Sequence, residues 1–356
     1  MTDLIPPGQE HPAVDPIDGN AVGAMLAGTY GLTPVSMRRL PIGDATINYR
    51  VACIERTVFV KCYLPGTNLT GELMAIELSE IAGRAAVPIA PVLSSRTGAL
   101  LATQDELSLS VWDFIDGRTV TLGLNHGQLR AAGASLGRIH RRFADLPASR
   151  GPASQTRTWL SMDLSEVERT INRLLGIIAA RAEPDDFDAA AEQTLRERRA
   201  TLAHVPSLLA DLPPLTSQVL HGDYSALNLL FSGDDLVAVI DFRPPDPFLI
   251  AYELGRIAFD PRAVALTSNW LEDACTLVSA YLAENPRASH SDIACAGRIW
   301  LAQLLTSLYG VKGHYLQPGL LQDDLDEFWL LRHQAAQVLL EHLDEVEDAL
   351  SGCRPA

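Results

Sequence analysis

The run His221-Gly222-Asp223-Tyr224-Ser225-Ala226-Leu227-Asn228 places an Asn five residues after an Asp, and Asp241-Phe242 follows thirteen residues beyond that Asn. Each half adjoins a short apolar run: Val219-Leu220 before the His, and Leu236-Val237-Ala238-Val239-Ile240 before Asp241. Such runs read as buried strands that hold the polar residues at their ends. Phosphoryl transfer from ATP requires this set of groups in one place. One carboxylate faces the attacking hydroxyl, while an amide and a second carboxylate hold Mg²⁺ against the phosphate oxygens.

Protein kinases write the set as H-R-D-x-x-x-x-N and D-F-G. Here it is H-G-D-x-x-x-x-N and I-D-F, which resembles the aminoglycoside phosphotransferase family of small-molecule kinases. The resemblance implies that Asp223 is the catalytic residue, orienting and deprotonating the substrate hydroxyl, and that Asn228 and Asp241 bind Mg²⁺. It gives His221 an organising part in the loop. Gly222 stands where protein kinases carry an Arg that often pairs with a phosphorylated activation loop, which implies a kinase not switched in that way. Downstream, Asp246-Pro247 matches the Asp-Pro common in the family, Glu253 in Tyr252-Glu253-Leu254 stands for the Asp of its Tyr-Asp-Leu, and Arg243 stands where a Gly commonly follows I-D-F. Neither departure touches the expected metal ligands, and no role passes to Asp246 or Glu253.

Lysine is nearly absent: Lys61 and Lys312 stand against 26 arginines. A lysine that persists in such a chain suggests a need for a compact ammonium. In Val58-Phe59-Val60-Lys61-Cys62-Tyr63, alternation puts Phe59, Lys61 and Tyr63 on one face of a strand. Lys61 is therefore expected to meet the ATP phosphates, although a surface lysine on a strand is the plainer reading. Its carboxylate partner would come from Glu72, Glu77 or Glu80 on the next helix. Glu77, sixteen residues on, has the spacing that suits the family. The loop from Gly43 to Val51, with Gly43 and Asn48, is similar to the family's G-x-x-x-N-x-x-x-V turn over the nucleotide, and an ordinary hairpin fits it nearly as well. Trp112-Asp113-Phe114-Ile115-Asp116-Gly117 resembles the hinge whose backbone groups meet adenine, so Asp113 and Ile115 join the expected nucleotide contacts.

The bulk properties narrow the field further. No G-x-x-x-x-G-K-[ST], G-x-S-x-G or H-E-x-x-H occurs, and the histidines at 290, 314, 333 and 342 lack metal-ligand spacing. The five cysteines are scattered, which fits reduced thiols in a cytoplasm better than a disulfide framework. No apolar run has the length of a membrane helix, and residues 1–20 lack the basic and apolar regions of a signal peptide. The net charge of −16 argues against a nucleic-acid partner. It suits a cationic substrate about as well as it suits mere solubility. The stretch Asp323-Asp324-Leu325-Asp326-Glu327 could meet an amine, but acids gather at helix N-termini in any case.

The elements that must position these residues fall into two regions. After a tail over 1–20, residues 21–115 read as a nucleotide-binding lobe. It comprises a short helix over 21–29, strands over 37–40, 48–54, 57–63, 88–93, 99–103 and 107–114, and a helix over 72–82. Residues 116–356 read as a catalytic and substrate-binding lobe, with helices over 127–143, 163–181, 186–209, 270–282, 291–309 and 325–350. The expected fold class is α+β, a two-lobed protein-kinase-like fold with a small β-rich N-lobe, a large helical C-lobe and ATP between them. The expected activity is transfer of the γ-phosphoryl group of ATP to a hydroxyl of a small polar molecule. An antibiotic substrate, with resistance as the outcome, leads; an amino sugar or homoserine is the metabolic alternative. A catalytically silent kinase-like nucleotide-binding protein is the alternative outside enzymes. The oligomeric state is left open by the sequence.

Overall fold

The computed structural model describes residues 17–41, 46–150, 153–319 and 321–356. Contacts divide the chain into two compact units: the chain up to Thr67 together with Val92–Phe114, and Asn68–Pro91 together with Ile115–Ala356. The helix after Lys61, which the sequence reading grouped with the first lobe, clusters with the second unit.

The first unit opens with α1 (Gly19–Met25), capped by the Asp18 carboxylate, which accepts from the N–H of Asn20. Its sheet holds β1 (Pro34–Leu40), β2 (Thr46–Cys53), β3 (Thr57–Tyr63), β4 (Val92–Leu93), β5 (Leu101–Gln104) and β6 (Leu107–Asp113). The strands run antiparallel in the order β1-β2-β3-β6, and the two short strands β4 and β5 share the outer edge of β6. Alternation decides the faces. Val58, Val60 and Cys62 of β3 join Val51, Leu109, Val111 and the α1 residues Val22 and Met25 in one apolar core. Phe59, Lys61 and Tyr63 therefore take the opposite face, as expected. The strand expected over 88–93 shrinks to β4, because Pro88 and Pro91 supply no backbone donors to a ladder. The turn expected at Gly43-Asp44 lies outside the described residues.

The second unit is mostly helical. It runs α2 (Leu69–Gly83), α3 (His126–Phe143), α4 (Ser154–Leu160), α5 (Leu164–Ala179), α6 (Asp186–Thr201) and α7 (Val205–Leu209). Two small β pairs follow, β7 (Ser217–Gln218) with β10 (Phe248–Leu249) and β8 (Leu229–Ser232) with β9 (Asp235–Val239), both antiparallel. The chain then continues through α8 (Ile250–Ala258), α9 (Pro261–Leu266), α10 (Trp270–Glu284), α11 (His290–Ala294), α12 (Ala296–Thr306), α13 (Val311–Leu316), α14 (Gln322–Glu341) and α15 (Leu343–Gly352).

α3 is the central support of this unit. Asn125 and Gln128 cap it reciprocally, and Leu129, Ala132, Leu136, Ile139 and Phe143 form its buried stripe. Gly133 and Gly137 let α10 approach closely: a Cβ at either would lie 2.1 Å from the carbonyl oxygen of Leu277 or 2.6 Å from that of Tyr281. This contact brings His140 of α3 against Tyr281 of α10. Three expected long helices are interrupted. The run over 186–209 passes through a 3₁₀ turn at Leu202–His204, that over 291–309 is divided at Cys295 and ends at Thr306, and that over 325–350 is divided at His342. α8, for which the sequence reading had no element, carries two residues of the site.

Candidate active site

β7 leads through the buried residues Val219 and Leu220 into the loop at His221, and a 3₁₀ turn at Ala226–Asn228 leads out into β8. The β8–β9 hairpin then returns the chain to Asp241. Asp223, Asn228 and Asp241, expected together from the sequence, lie on two loops joined by a dense set of hydrogen bonds. The Asn228 amide nitrogen donates to the carbonyl of Asp223 at 2.8 Å, and the N–H of Ile240 donates to the carbonyl of Asn228 at 3.0 Å. The N–H of Arg243 donates to the carbonyl of His221 at 2.9 Å.

His221 is fully buried, and its partners assign its tautomer. The N–H of Asp223 donates to Nδ1 at 3.2 Å, so Nδ1 is an acceptor and the proton sits on Nε2, which donates to the carbonyl of Ile240 at 3.0 Å. Burial pushes its basicity below that of an ordinary imidazole, against the pull of Glu253 and Asp223. A neutral ring with both nitrogens engaged holds the two loops together, with its one N–H proton committed to the Ile240 carbonyl. Phe242 packs on it with ring centroids 4.3 Å apart, and Tyr224 meets it edge-on at 5.4 Å.

Glu253 of α8, to which the sequence reading passed no role, anchors the loop from below. Its carboxylate accepts from the N–H of His221 at 3.0 Å and from the N–H of Gly222 at 2.7 Å. His140 Nε2 donates to it at 3.0 Å, Nδ1 of the same ring meets the Tyr281 hydroxyl at 3.0 Å, and Asn285 donates to that hydroxyl. Burial alone would raise the Glu253 carboxyl, but the hydrogen bonds from His140 and from the N–H of Gly222 hold it below the usual carboxylate range. A buried anion is thus fully paired, as a low-dielectric interior demands. The sequence signals were a Glu in place of the family's Asp at 253 and a His inside the apolar stripe of α3.

Two arginines grip the Asp223 carboxylate. Arg256, one turn beyond Glu253 on α8, binds Asp223 Oδ1, and Arg243 Nη2 binds Oδ2 at 3.1 Å. Arg243 Nη2 also lies 4.0 Å from Asp241 Oδ2. Asp241 has φ +63°, a left-handed conformation that costs a non-glycine residue about 1–2 kcal/mol and tends to persist at functional sites. Gly222 has φ +88°, and a Cβ there would fall 2.6 Å from Cβ of Arg243.

The donor set fits a magnesium ion. The amide nitrogen of Asn228 is committed to Asp223, which leaves the amide oxygen as the ligating atom, and Asp241 adds a carboxylate oxygen. Mg²⁺ commonly takes one or two carboxylates and completes its shell from phosphates and water. Among the described residues there is no group of three or more His, Cys, Asp or Glu able to hold a metal by itself.

The remaining expected residues are distributed as follows. Lys61 stands opposite Asn48 on β2 and Ser110 on β6, so the three form one row across the sheet, and its ammonium lies 5.8 Å from the ring centroid of Tyr63. Asn48 is buried, and its amide donates to Thr46 at 3.1 Å. The Asp113 carboxylate forms a surface ion pair with Arg56 at 2.8 Å, and the Ile115 carbonyl accepts from the N–H of Gly117. Glu77 is on the exposed face of α2, whereas Glu72 in its first turn is near enough to strengthen the charge on Arg243. Gly43 lies outside the described residues. The acidic stretch at 323–327 begins α14, and Asp326 pairs there with His314 at 2.7 Å.

An antiparallel sheet unit, a helical unit and an Asp–Asn–Asp site define a kinase-like phosphotransferase. The family model described as "Phosphotransferase enzyme family" matches residues 39–288, and the chain belongs to that family. It is a kinase that transfers a phosphoryl group to an alcohol. No curated protein matches the sequence. Among solved structures, the AMP-bound spectinomycin phosphotransferase APH(9)-Ia is 15% identical with TM-score 0.66, over 95% of this chain and 99% of that one. An aminoglycoside phosphotransferase from Alicyclobacillus acidocaldarius is 14% identical with TM-score 0.62, over 94% and 98%. A microcompartment-associated aminopropanol kinase is 15% identical with TM-score 0.59, over 95% and 99%. At these identities the likeness establishes the fold, which is α+β and kinase-like.

Proposed function

We propose that this kinase moves the γ-phosphoryl group of ATP to a hydroxyl of a small polar molecule. Asp223 acts as the base, and Asn228 and Asp241 hold Mg²⁺. The observation that carries the reading is the join between the two loops, which ties the base to both metal ligands through His221 and Asn228. In the transfer, the acceptor oxygen bonds to the γ-phosphorus as the bond from that phosphorus to the β-bridging oxygen breaks. ADP keeps the bonding pair, and the hydroxyl proton passes to Asp223. Bound Mg²⁺ would neutralise charge on the phosphate oxygens. Arg256 holds the Asp223 carboxylate in orientation, and Glu253 fixes the height of its loop. We assign Lys61 to the ATP phosphates, Glu77 to that lysine, Gly43 and Asn48 to the turn over the nucleotide, and Asp113 and Ile115 to the adenine end.

An antibiotic acceptor, with resistance as the outcome, is supported by the likeness to spectinomycin phosphotransferase. The two arginines on Asp223 favour a second reading, a metabolic alcohol without dense positive charge, since a polycation would meet them first. All five cysteines are free thiols, which supports a reducing cytoplasm. The test is transfer of labelled γ-phosphate to panels of aminoglycosides, nucleoside and peptide antibiotics, hexosamines and hydroxy amino acids. Transfer should occur with the wild type and fall on the order of 10²–10⁴-fold in Asp223→Ala, with ATP affinity kept within several-fold. Near-wild-type turnover in Asp223→Ala refutes the assignment.

A further inference from the structure

Arg243 is the residue in the site that neither the motif nor the family pattern asks for. Its root is fixed. Its N–H is bonded to the carbonyl of His221, and its Cβ occupies space that only a glycine at 222 leaves open. Its head, by contrast, is 55% exposed. One guanidinium nitrogen sits 3.1 Å from the base Asp223 and 4.0 Å from the metal ligand Asp241. In an in-line transfer the phosphoryl group passes between the group that takes the hydroxyl proton and the metal that holds the leaving phosphates.

We propose that Arg243 is a catalytic residue whose guanidinium leaves the Asp223–Asp241 pair when nucleotide binds and takes hold of the γ-phosphoryl oxygens during transfer. The structure provides for the exchange. Asp223 has one oxygen on Arg256, which belongs to a different element and is only 29% exposed, so the base keeps a cationic partner and its orientation after Arg243 departs. A planar, permanently charged fork suits three equatorial phosphoryl oxygens. Glycine at 222 and arginine at 243 then form one arrangement. The position that carries the cation in protein kinases is emptied, and the cation reaches the same neighbourhood from the loop after Asp241.

The inference rests on the proposed roles of Asp223 and Asp241, and its test separates the two. Calorimetry would compare binding of ADP·Mg²⁺ with that of a non-hydrolysable ATP analogue·Mg²⁺. Single-turnover hydrolysis of labelled ATP, with water as acceptor, would supply the rate. In Arg243→Ala the analogue should lose on the order of tenfold in affinity while ADP is unchanged, because only the analogue carries a γ-phosphoryl group. Hydrolysis should fall on the order of 10²–10³-fold, within what a transition-state arginine or a charge-stabilising donor supplies. Arg243→Lys should recover part of both. Equal losses for ADP and the analogue, or no loss for either, would overturn the proposal and leave Arg243 as a structural partner of Asp223. If Asp223→Ala and Asp241→Asn also hydrolyse ATP normally, the reading of the whole site falls. If those two fail and Arg243→Ala does not, only this inference falls.

Discussion

Replacing Glu253 with Gln should detach the His221–Asp223 loop from its support while leaving side-chain volume almost unchanged. Three donors converge on the carboxylate: the N–H of His221, the N–H of Gly222 and Nε2 of His140. A glutamine offers one oxygen and one NH₂ group. With its oxygen toward Gly222, the NH₂ faces the N–H of His221; turned over, it faces the N–H of Gly222. His140 can adapt by shifting its proton to Nδ1, but a backbone N–H cannot. In either orientation one buried N–H of the loop loses its acceptor and another exchanges a charged acceptor for a neutral one. Bonds to charged groups contribute about 1.5–3 kcal/mol each and an orphaned buried donor costs about 1–3 kcal/mol, so the expected loss of stability is about 2–4 kcal/mol. A loop misplaced by about 1 Å costs on the order of 10² in rate. Urea unfolding followed by circular dichroism gives the first quantity. Steady-state phosphotransfer gives the second, with kcat falling and KM for ATP holding. A variant within about 0.5 kcal/mol of wild type and with wild-type kcat would refute the claim that Glu253 supports the loop, since changes of that size are ordinary for surface substitutions that support nothing.

Gly222→Ala should lose about 1–2 kcal/mol from φ +88° alone, plus the cost of displacing Arg243 from a 2.6 Å contact. Arg243→Gly removes that contact, so in urea unfolding the double variant should be more stable than the sum of the single changes indicates; strict additivity would refute the contact. Stability should also fall as pH drops below about 6.5, where unfolded histidine begins to protonate. His221 and His333 are both depressed, chiefly by burial, so the unfolded chain takes up their protons first and the neutral folded forms are penalised on acidification. Each contributes at most about 1.4 kcal/mol per pH unit, and His221→Gln should flatten the urea-midpoint profile between about pH 6.5 and 5. An unchanged slope in that variant would mean His221 titrates in the folded protein as it does unfolded.

The legible parts of the fold were those that local sequence governs. Thr57–Tyr63 was assigned to the residue, because alternation and β-branching operate over neighbours. α3 was placed within one residue by its apolar stripe. The breaks at Cys295 and His342 were not legible, since neither is a glycine or a proline and the helical period continues across both. They are settled by what each segment packs against. α8 is not legible because at nine residues it gives the helical period too few repeats to register.

The site divides in the same way. That Asp223, Asn228 and Asp241 come together is legible because they fall within twenty residues on two loops joined by hydrogen bonds. The support beneath them is not, because His140 reaches Glu253 across 113 residues and Tyr281 across 141. Bulk charge leaves the substrate open. A net charge of −16 suits a cationic substrate and mere solubility alike; the acids of the 323–327 stretch start a helix, Asp326 among them pairing with His314, and the groups placed on the Asp223 carboxylate are arginines. Net charge acts on the whole surface and is screened within about 8–10 Å at ordinary salt. The acceptor meets its neighbours at contact distance. At that range the contacts of Arg243 and Arg256 with Asp223 are a better guide to the neighbourhood of that carboxylate than the distant excess of acids.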